Sequence, residues 1–209
     1  LLALLRPLLI NYFLDSPDER SSHQQPIPTG AGISFVITSF IASIISGWYI
    51  PLICLPLSLI GFLDDKFNLS RITRYGGQIF TAFLIVNYSL TTNINLKNLF
   101  ESNPFGNVIS IFLIFGITAI INFTNFMDGL DGFLGSSFFV AFLFLSITYE
   151  TNLVFLTAGI FAFLIFNWHP AKMFMGDVGS TFLGAVFAGL IIQKGNVIDI
   201  LIRLLILSP

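Results

Sequence analysis

The chain has 209 residues, of which 55% are hydrophobic and 10% are charged, and its formal net charge is -2. Its mean hydropathy of +0.89 excludes an ordinary soluble domain, because too little polar surface would remain to cover one aqueous core. The nine Lys and Arg residues form no basic run, so no nucleic-acid partner is expected. A single cysteine, Cys54, excludes an intrachain disulfide. The composition therefore predicts an integral membrane protein.

Eight apolar segments follow a first apolar stretch that Arg6 and Pro7 interrupt and that ends near Leu14. The segments cover residues 31–49, 51–63, 75–91, 107–121, 133–149, 151–167, 181–193 and 197–207. Several are shorter than the ~20 residues of a straight span, so flanking residues would lie in the membrane interfaces. The polar stretch 92–106 fits a loop or a helix on the membrane surface. We predict an all-α, polytopic membrane helical bundle of about eight transmembrane segments plus a truncated N-terminal one. Residues 1–209 would form one transmembrane domain of a longer protein.

The acidic residues gather on one side of this predicted bundle. If each segment crosses once, the gaps 15–30, 64–74, 122–132 and 168–180 face the same side. They hold eight of the eleven acidic residues: Asp15, Asp18, Glu19, Asp64, Asp65, Asp128, Asp131 and Asp177. They also hold most of the Lys and Arg residues outside the apolar segments, which is typical of the cytoplasmic side. We therefore expect a multi-pass protein with a polar site that faces the cytoplasm, where nucleotide-activated substrates are found.

The Asp64–Asp65 pair directly follows the second apolar segment. It could simply end a helix at the interface, but adjacent carboxylates there oppose the helix dipole and each other. A cation or a basic group would relieve this repulsion. Lys66, Arg71 and Arg74 are close enough in sequence to do so, which favours a functional role for the pair.

A second acidic motif, Asp-Gly-Leu-Asp-Gly, covers residues 128–132. Its two glycines let the backbone turn tightly and approach a ligand. Asp131 could alternatively cap the helix that follows. Asn122, Asn125 and Asp128 are spaced to share one helical face. With Asp131 they make four polar groups within ten residues, which are costly beside lipid unless they line a cavity. The motif therefore predicts a binding site.

Asp177 stands in a third motif, Met-Gly-Asp-Val-Gly-Ser at 175–180, just before an apolar helix that Ser180 could cap. A lone carboxylate at this depth favours a cation. Mg²⁺ fits best, because it binds one or two carboxylates, water and substrate phosphates, whereas zinc or iron would want His and Cys ligands. The following small residues predict close helix packing: Gly184, Ala185, Ala188 and Gly189. His23 and His169 lie in Pro-bounded loops, where a single imidazole is more often structural than a ligand.

Four motifs, in this order, resemble the polyprenyl-phosphate N-acetylhexosamine-1-phosphate transferases, glycosyltransferase family 4. This family includes the phospho-N-acetylmuramoyl-pentapeptide transferase of peptidoglycan synthesis. The motifs are Asp-Ser-Pro-Asp-Glu-Arg-Ser-Ser-His at 15–23 with Pro-Thr-Gly-Ala-Gly at 28–32, Gly-Phe-Leu-Asp-Asp at 61–65, residues 122–132, and Phe-Met-Gly-Asp-Val-Gly-Ser at 174–180. Ala31 stands where the family usually has Gly. The family also carries a His-rich cytoplasmic motif, which would lie beyond residue 209.

The resemblance implies a reaction in a bacterial plasma membrane. A UDP-amino sugar would give its sugar-1-phosphate to undecaprenyl phosphate and release UMP, which initiates a surface polysaccharide. By this resemblance Asp177 binds Mg²⁺, and Asp64 and Asp65 are catalytic residues facing the lipid phosphate. Because a phosphate monoester is largely ionised at neutral pH, we expect this pair to act in positioning or in the metal network, with proton acceptance as a second role. The nucleotide sugar would be held by Asn122, Asn125, Asp128 and Asp131. The resemblance leaves Asp15, Asp18 and Glu19 as loop charges.

Three alternatives remain at this stage. The chain could belong to the peptidoglycan branch of the same family. It could be a cation transporter that uses the one-sided acids as an ion path, although transporters tend to place carboxylates near the membrane midplane. A CDP-alcohol phosphotransferase also uses Asp-Gly motifs with Mg²⁺, but the Ala-Arg pair expected after its first Asp-Gly is absent here. Oligomeric state is left open.

Overall fold

The computed structural model describes residues 1–17, 24–149 and 153–194. Within these residues the chain is almost entirely helical, as predicted. The helices are α1 (Leu2–Tyr12), α2 (Ile33–Ser46), α3 (Ile50–Ile53), α4 (Leu55–Phe67), α5 (Arg71–Thr92), α6 (Ile94–Ser102), α7 (Gly106–Met127), α8 (Phe133–Tyr149), α9 (Val154–Asn167) and α10 (Asp177–Lys194). The all-α prediction missed one small element: β1 (Leu14–Asp15) pairs antiparallel with β2 (Ile27–Pro28).

Helix α10 forms the centre of the bundle, and its residues from Val178 to Ile192 are buried. Helices α7 and α4 pack against it most extensively. A Cβ atom on Gly184 would lie 2.8 Å from Thr124 Oγ1 of α7, and one on Gly189 would lie 2.9 Å from Ile50 Cγ2. These positions therefore need glycine for close approach, and the prediction of helix packing along this small-residue face is confirmed.

The predicted segment 51–63 forms two helices instead of one. Pro51 and Pro56 each occupy a first-turn position, where the missing N–H costs nothing, so each proline starts a helix and Cys54 separates the two. Helix α4 then continues to Phe67, beyond the predicted boundary. As a result Asp64 and Asp65 lie inside the last turn of a helix.

Helix α7, with 22 residues, is the one described helix that is long and apolar enough to cross a membrane by itself. It exposes large apolar side chains, such as Phe112 and Phe126, as lipid contact requires. Helix α6 follows α5 after a bend of 97°, so residues 94–102 are helical and do not form a loop, and their placement on the membrane surface stays a prediction. The other apolar helices are shorter, and the count of eight spans stays a prediction. Segment 197–207 lies outside the described residues, as do Asp18, Glu19 and His23.

One end of the bundle is held together by backbone contacts between loops. Ala31 N–H donates to the Phe174 carbonyl at 3.0 Å, and Phe174 N–H donates to the Pro28 carbonyl at 2.8 Å. Ala31 is fully buried, and the positive φ of this loop falls on Gly30 at 78°. An alanine in place of the family's usual glycine is therefore accommodated without strain.

Candidate active site

A cavity of about 420 Å³ opens at this end of the bundle. All four of the loops predicted to share one side contribute to its lining, together with Asn167 at the end of α9. The lining residues are Asp15, Thr29, Asp64, Asp65, Asn68, Arg74, Asp128, Gly129, Leu130, Asp131, Asn167, Phe174, Gly176 and Asp177. Six of these described residues are aspartates and one is an arginine. The cavity therefore carries a strong excess of negative charge, which favours a bound cation.

Arg74 lies between two of these aspartates. Its Nη1 atom donates to Asp64 Oδ2 at 3.2 Å and lies 3.6 Å from Asp177 Oδ2. The other Asp64 oxygen accepts the Leu69 N–H at 2.6 Å, which ties the end of α4 to the loop that leads into α5. Asp64 is thus buried and neutralised by Arg74. Of the three cations considered for this pair, Lys66 lies over the rings of Tyr12, Phe13 and Phe67 instead.

Asp65 turns toward α10, away from Asp64's partners. Its Oδ1 atom accepts the Asp177 N–H at 2.7 Å, and its Oδ2 atom accepts the Val178 N–H at 3.2 Å. Burial raises the pKa of the Asp65 carboxyl to about 7; the two backbone hydrogen bonds oppose this rise, and the charges of Asp177 and Asp64 add to it. The predicted cap of α10, Ser180, lies inside the helix, where its hydroxyl donates to Asn125 Oδ1 at 2.5 Å. Asp65 therefore takes the capping position.

Asp128 ends α7 and faces the same cavity. Burial raises the pKa of its carboxyl well above the usual range, and the charges of Asp177 and Asp65 add to this rise. No described residue donates a hydrogen bond to this carboxylate. A half-buried acid with like charges nearby and no donor is unstable as an anion unless a cation binds it.

Asp131 lies at the rim of the cavity, where it joins two loops. Its Oδ2 atom accepts the Ala171 N–H at 3.0 Å and lies 2.9 Å from Nδ1 of the exposed His169. Asn167 strengthens the same junction, because it accepts the Gly132 N–H and donates to the Met173 carbonyl, both at 3.0 Å. Asp131 thus bonds to the 169–171 loop. His169, expected to be structural, is its partner.

The two predicted asparagines line a second, smaller pocket. Asn122 Nδ2 donates to Gln78 Oε1 at 2.6 Å, and Gln78 Nε2 donates back at 3.3 Å, so these amides hold α5 and α7 together. With Asn125, they line a pocket of about 190 Å³ whose other lining residues are Arg71, Arg74 and Tyr75. This pocket contains two guanidinium groups and no described acid. It shares Arg74 with the acidic cavity.

Sequence reasoning left out three residues that the structure brings to the site. Asp15, interpreted as a loop charge, lines the large cavity. Arg74 was considered only as one of three nearby cations. Gln78 was overlooked, although a polar residue one turn after Arg74 in an apolar helix is a usable signal. Residues 71, 74, 75 and 78 of α5 form this polar face.

The oxygen ligands of the large cavity are suited to Mg²⁺. Within the described ranges, no three His, Cys, Asp or Glu side chains are grouped so as to hold a metal ion by themselves. Mg²⁺ does not need such a group, because it completes its shell with water and phosphate oxygens. Asp177 and the donor-free Asp128 both face the cavity, and they offer hard oxygen ligands. The residues present therefore fit this ion.

The fold and the site together define a helical protein with an acid-lined cavity beside a basic pocket at one end of its bundle. Comparison with known proteins identifies the family. Residues 47–195 match the family model described as glycosyl transferase family 4, and the chain belongs to that family. Members of this family are integral membrane proteins of bacteria.

Several curated relatives share about a third of their aligned residues with this chain. The undecaprenyl-phosphate alpha-N-acetylglucosaminyl 1-phosphate transferase of Thermotoga maritima is 33% identical over 83% of this chain and 54% of its own length. The phospho-N-acetylmuramoyl-pentapeptide-transferase of Thermoanaerobacter sp. is 31% identical over 77% of this chain and 59% of its own length. A probable undecaprenyl-phosphate N-acetylglucosaminyl 1-phosphate transferase of Bacillus subtilis is 32% identical over 82% of this chain and 52% of its own length. The chain thus spans little more than half the length of these relatives.

Proposed function

We propose that this chain transfers an amino-sugar-1-phosphate from a UDP-sugar to a polyprenyl phosphate, releases UMP, and so initiates a cell-surface polysaccharide. One observation carries the proposal. An acidic cavity and a basic pocket lie side by side and share one arginine, Arg74, which contacts both Asp64 and Asp177. A reaction that joins two phosphate-bearing substrates needs cationic groups for both, placed within reach of each other.

The nucleotide sugar fits the acidic cavity. Its diphosphate would bind there with Mg²⁺, held by Asp177 and Asp128, and when bound the ion neutralises phosphate charge and draws electron density from the reacting phosphorus. The volume of about 420 Å³ lies in the range of small-ligand sites. In this proposal Asp131 shapes the rim through the 169–171 loop, and the amide of Asn125 stays fixed by Ser180.

The phosphate of the lipid fits the basic pocket. Arg71 and Arg74 supply positive charge there, and the Gln78–Asn122 amide pair supplies further polar groups. The surrounding surface is apolar, because Ile72 of α5 and Phe126 of α7 are each 85% exposed. An isoprenoid chain can follow such a surface while its phosphate enters the pocket. Arg74 then lies between acceptor and donor.

The chemistry needs little proton transfer. A phosphate monoester has a second pKa of about 6, so the attacking oxygen is largely ionised at neutral pH. This oxygen forms a bond to the sugar-linked phosphorus, and the bond from that phosphorus to the bridging oxygen breaks, so UMP leaves with the bridging oxygen. Arg74 reduces the repulsion between the two anions, and its bonds to Asp64 and Asp177 hold the guanidinium in position.

The proposed location is the bacterial plasma membrane, with multiple spans and the cavity on the cytoplasmic side. UDP-sugars are cytoplasmic substrates, and the predicted spans place the four site loops on the side with more Lys and Arg.

A UMP-release assay tests the function directly. The purified protein is incubated with UDP-N-acetylglucosamine and Mg²⁺, with and without undecaprenyl phosphate. We expect UMP release that requires both the lipid and the metal. Cation flux in liposomes that needs neither substrate, without UMP release, would instead identify a transporter.

The metal assignment has its own test within this assay. Asp177→Asn should abolish Mg²⁺-dependent transfer, because the amide cannot supply the anionic oxygen that this ion prefers. Mn²⁺ binding, followed by its paramagnetic resonance signal, should weaken in parallel. Substantial activity in this variant would disprove the assignment of Asp177.

A second candidate, the peptidoglycan-branch transferase, is supported by relatives of that name at 31% identity. It differs in the donor, which would be UDP-N-acetylmuramoyl-pentapeptide. The same assay with this donor separates the two, because the branch that fits the chain should release UMP from one donor far faster than from the other.

A further inference from the structure

We infer that Asp65 is a positioning residue: it caps the N-terminus of α10 from a different helix and thereby holds Asp177 in place, and it takes no proton from substrate. The inference rests on the proposed function and assigns separate roles to the two adjacent aspartates. Asp64 bonds to Arg74, whereas Asp65 bonds to two backbone amides 112 and 113 positions further along the chain.

The first turn of α10 lacks a capping side chain of its own. The first N–H groups of any helix have no partner within that helix. Gly176, which precedes α10, has φ +74° and no side chain, and Ser180 bonds instead to Asn125 and to the Gly176 carbonyl. The Asp65 carboxylate accepts the N–H groups of Asp177 and Val178, as a side-chain cap does. Its charge also suits the positive end of the α10 dipole.

Two glycines permit this contact. Gly61 lies one helical turn before Asp65 on the same face of α4, and a Cβ atom there would come within 2.6 Å of the Asp177 carbonyl carbon. A Cβ atom on Gly176 would collide with the Asp65 carboxylate. The backbones of α4 and α10 therefore meet where the cap forms. This close packing fixes the direction of Asp65.

The consequence for the site comes through Asp177. Its own N–H is the group that Asp65 binds at 2.7 Å, so the backbone of Asp177 is held while its side chain faces Arg74 at 3.6 Å. Each Asp65 oxygen accepts one of these amides, so the orientation of the whole carboxylate is explained by its bonds to α10. Without the cap, the first turn of α10 would fray and the carboxylate of Asp177 would lose its fixed direction.

Paired substitutions distinguish a cap from a charge. In Asp65→Asn the amide oxygen still accepts one N–H, and asparagine is a good capping residue, whereas Asp65→Ala removes both acceptors. We expect Asp65→Asn to keep kcat within about threefold of the parental value. Asp65→Ala should lower kcat by about tenfold or more, the fold-change that corresponds to the free energy of a lost helix cap. Asp65→Ser, which keeps a hydroxyl acceptor, serves in place of the alanine variant if that protein does not fold, and should lie between the two.

The matched control is Asp64, the neighbour whose carboxylate accepts the Leu69 N–H and Arg74 and no backbone N–H of α10. Because Arg74 needs its negative charge, Asp64→Asn and Asp64→Ala should lose activity to a similar extent. The inference is overturned if Asp65 follows this same pattern, with the asparagine variant as inactive as the alanine variant.

Hydrogen exchange of the α10 amides gives a readout that does not depend on catalysis. The peptide containing Asp177 and Val178 should exchange faster in Asp65→Ala and at nearly the parental rate in Asp65→Asn. Unchanged exchange in Asp65→Ala would also overturn the inference. A parental protein without transferase activity would count against the proposed function alone, since the exchange rates would still decide whether Asp65 caps α10.

Discussion

Arg74 connects more parts of the site than any other single side chain described. It contacts Asp64 at the end of α4 and Asp177 at the start of α10, and it lines both the acidic cavity and the basic pocket. Its side chain is 39% exposed, so solvent weakens each ion pair and neither contributes much to stability. The value of this residue therefore lies in placing charge between two bound phosphates.

Replacing Arg74 tests this role. Arg74→Gln should reduce kcat/KM by about 100-fold or more, as the loss of one preorganised cationic group does in other active sites. Lys66→Gln is the matched control, because Lys66 is an exposed cation that lies over aromatic rings outside the cavity. It should stay within about twofold of the parental rate. Equal losses in the two variants would show that only general surface charge matters.

The acids of the motifs differ in their surroundings more than their residue type suggests. Asp64 pairs with Arg74, Asp65 accepts two amides of α10, and Asp131 joins the 169–171 loop. Asp177 faces the cavity beside Arg74 and the Asn125 amide, and Asp128 faces it without a hydrogen-bond donor among the described residues. The five aspartates are therefore chemically alike in the sequence but occupy at least three kinds of environment in the structure.

At the scale of the helix, the glycines of α10 bring the site loops together. Gly184 lies against α7, Gly179 contacts Gly32 of the N-terminal loop, and Gly189 lies against Ile50. Each close contact shortens the distance between backbones, so that the C-terminal ends of α4 and α7 lie near the N-terminal end of α10. The six aspartates converge because the helices that carry them are packed this tightly.

Gly184 and Gly116 give a matched pair of helix substitutions. A Cβ atom at 184 would lie 2.8 Å from Thr124 Oγ1 and 3.0 Å from Ile121 Cα, whereas one at 116 meets nothing within 4 Å. Gly184→Ala should cost about 1–3 kcal/mol through overpacking and lower Tm by several degrees. Gly116→Ala should leave Tm unchanged or raise it, because alanine is the better helix former. Thermal unfolding in detergent measures both, and a similar Tm for the two would contradict the packing argument.

At the scale of the whole molecule, the polar features are sorted between the two ends of the bundle. The cavity, the basic pocket and the motif loops occupy one end. The other end carries α6, where Asn93 donates to the Ile192 carbonyl at 2.9 Å, and Trp48 Nε1 donates to Gln193 at 3.3 Å. This division gives the proposed orientation a direct test.

Cysteine labelling in cells tests the orientation. Leu130→Cys places a thiol at the cavity rim and Lys97→Cys places one on α6, and both positions are exposed. The native Cys54 is fully buried, so it should not react. A membrane-impermeant maleimide should label Lys97→Cys in intact cells and Leu130→Cys only in inside-out vesicles. The reverse pattern would place the cavity outside the cytoplasm.

The amino-acid sequence by itself determined the helical class, the family, the packing face of α10 and the residues able to carry the chemistry. These depend on composition, on periodicity and on short motifs, which are local properties. Boundaries were less accessible: two prolines split one predicted segment, and α4 continues past its predicted end through the Asp64–Asp65 pair.

Only the tertiary structure decided which groups meet. The bond between Asp65 and the Asp177 amide joins residues 112 positions apart, and the Gln78–Asn122 pair joins residues 44 positions apart. The tertiary structure also places Asp15 in the cavity lining, and it shows that Ser180 bonds to Asn125 instead of capping α10. Such pairings follow from how closely helices approach at glycines such as Gly61 and Gly184, and a local pattern in one sequence carries no record of those distances.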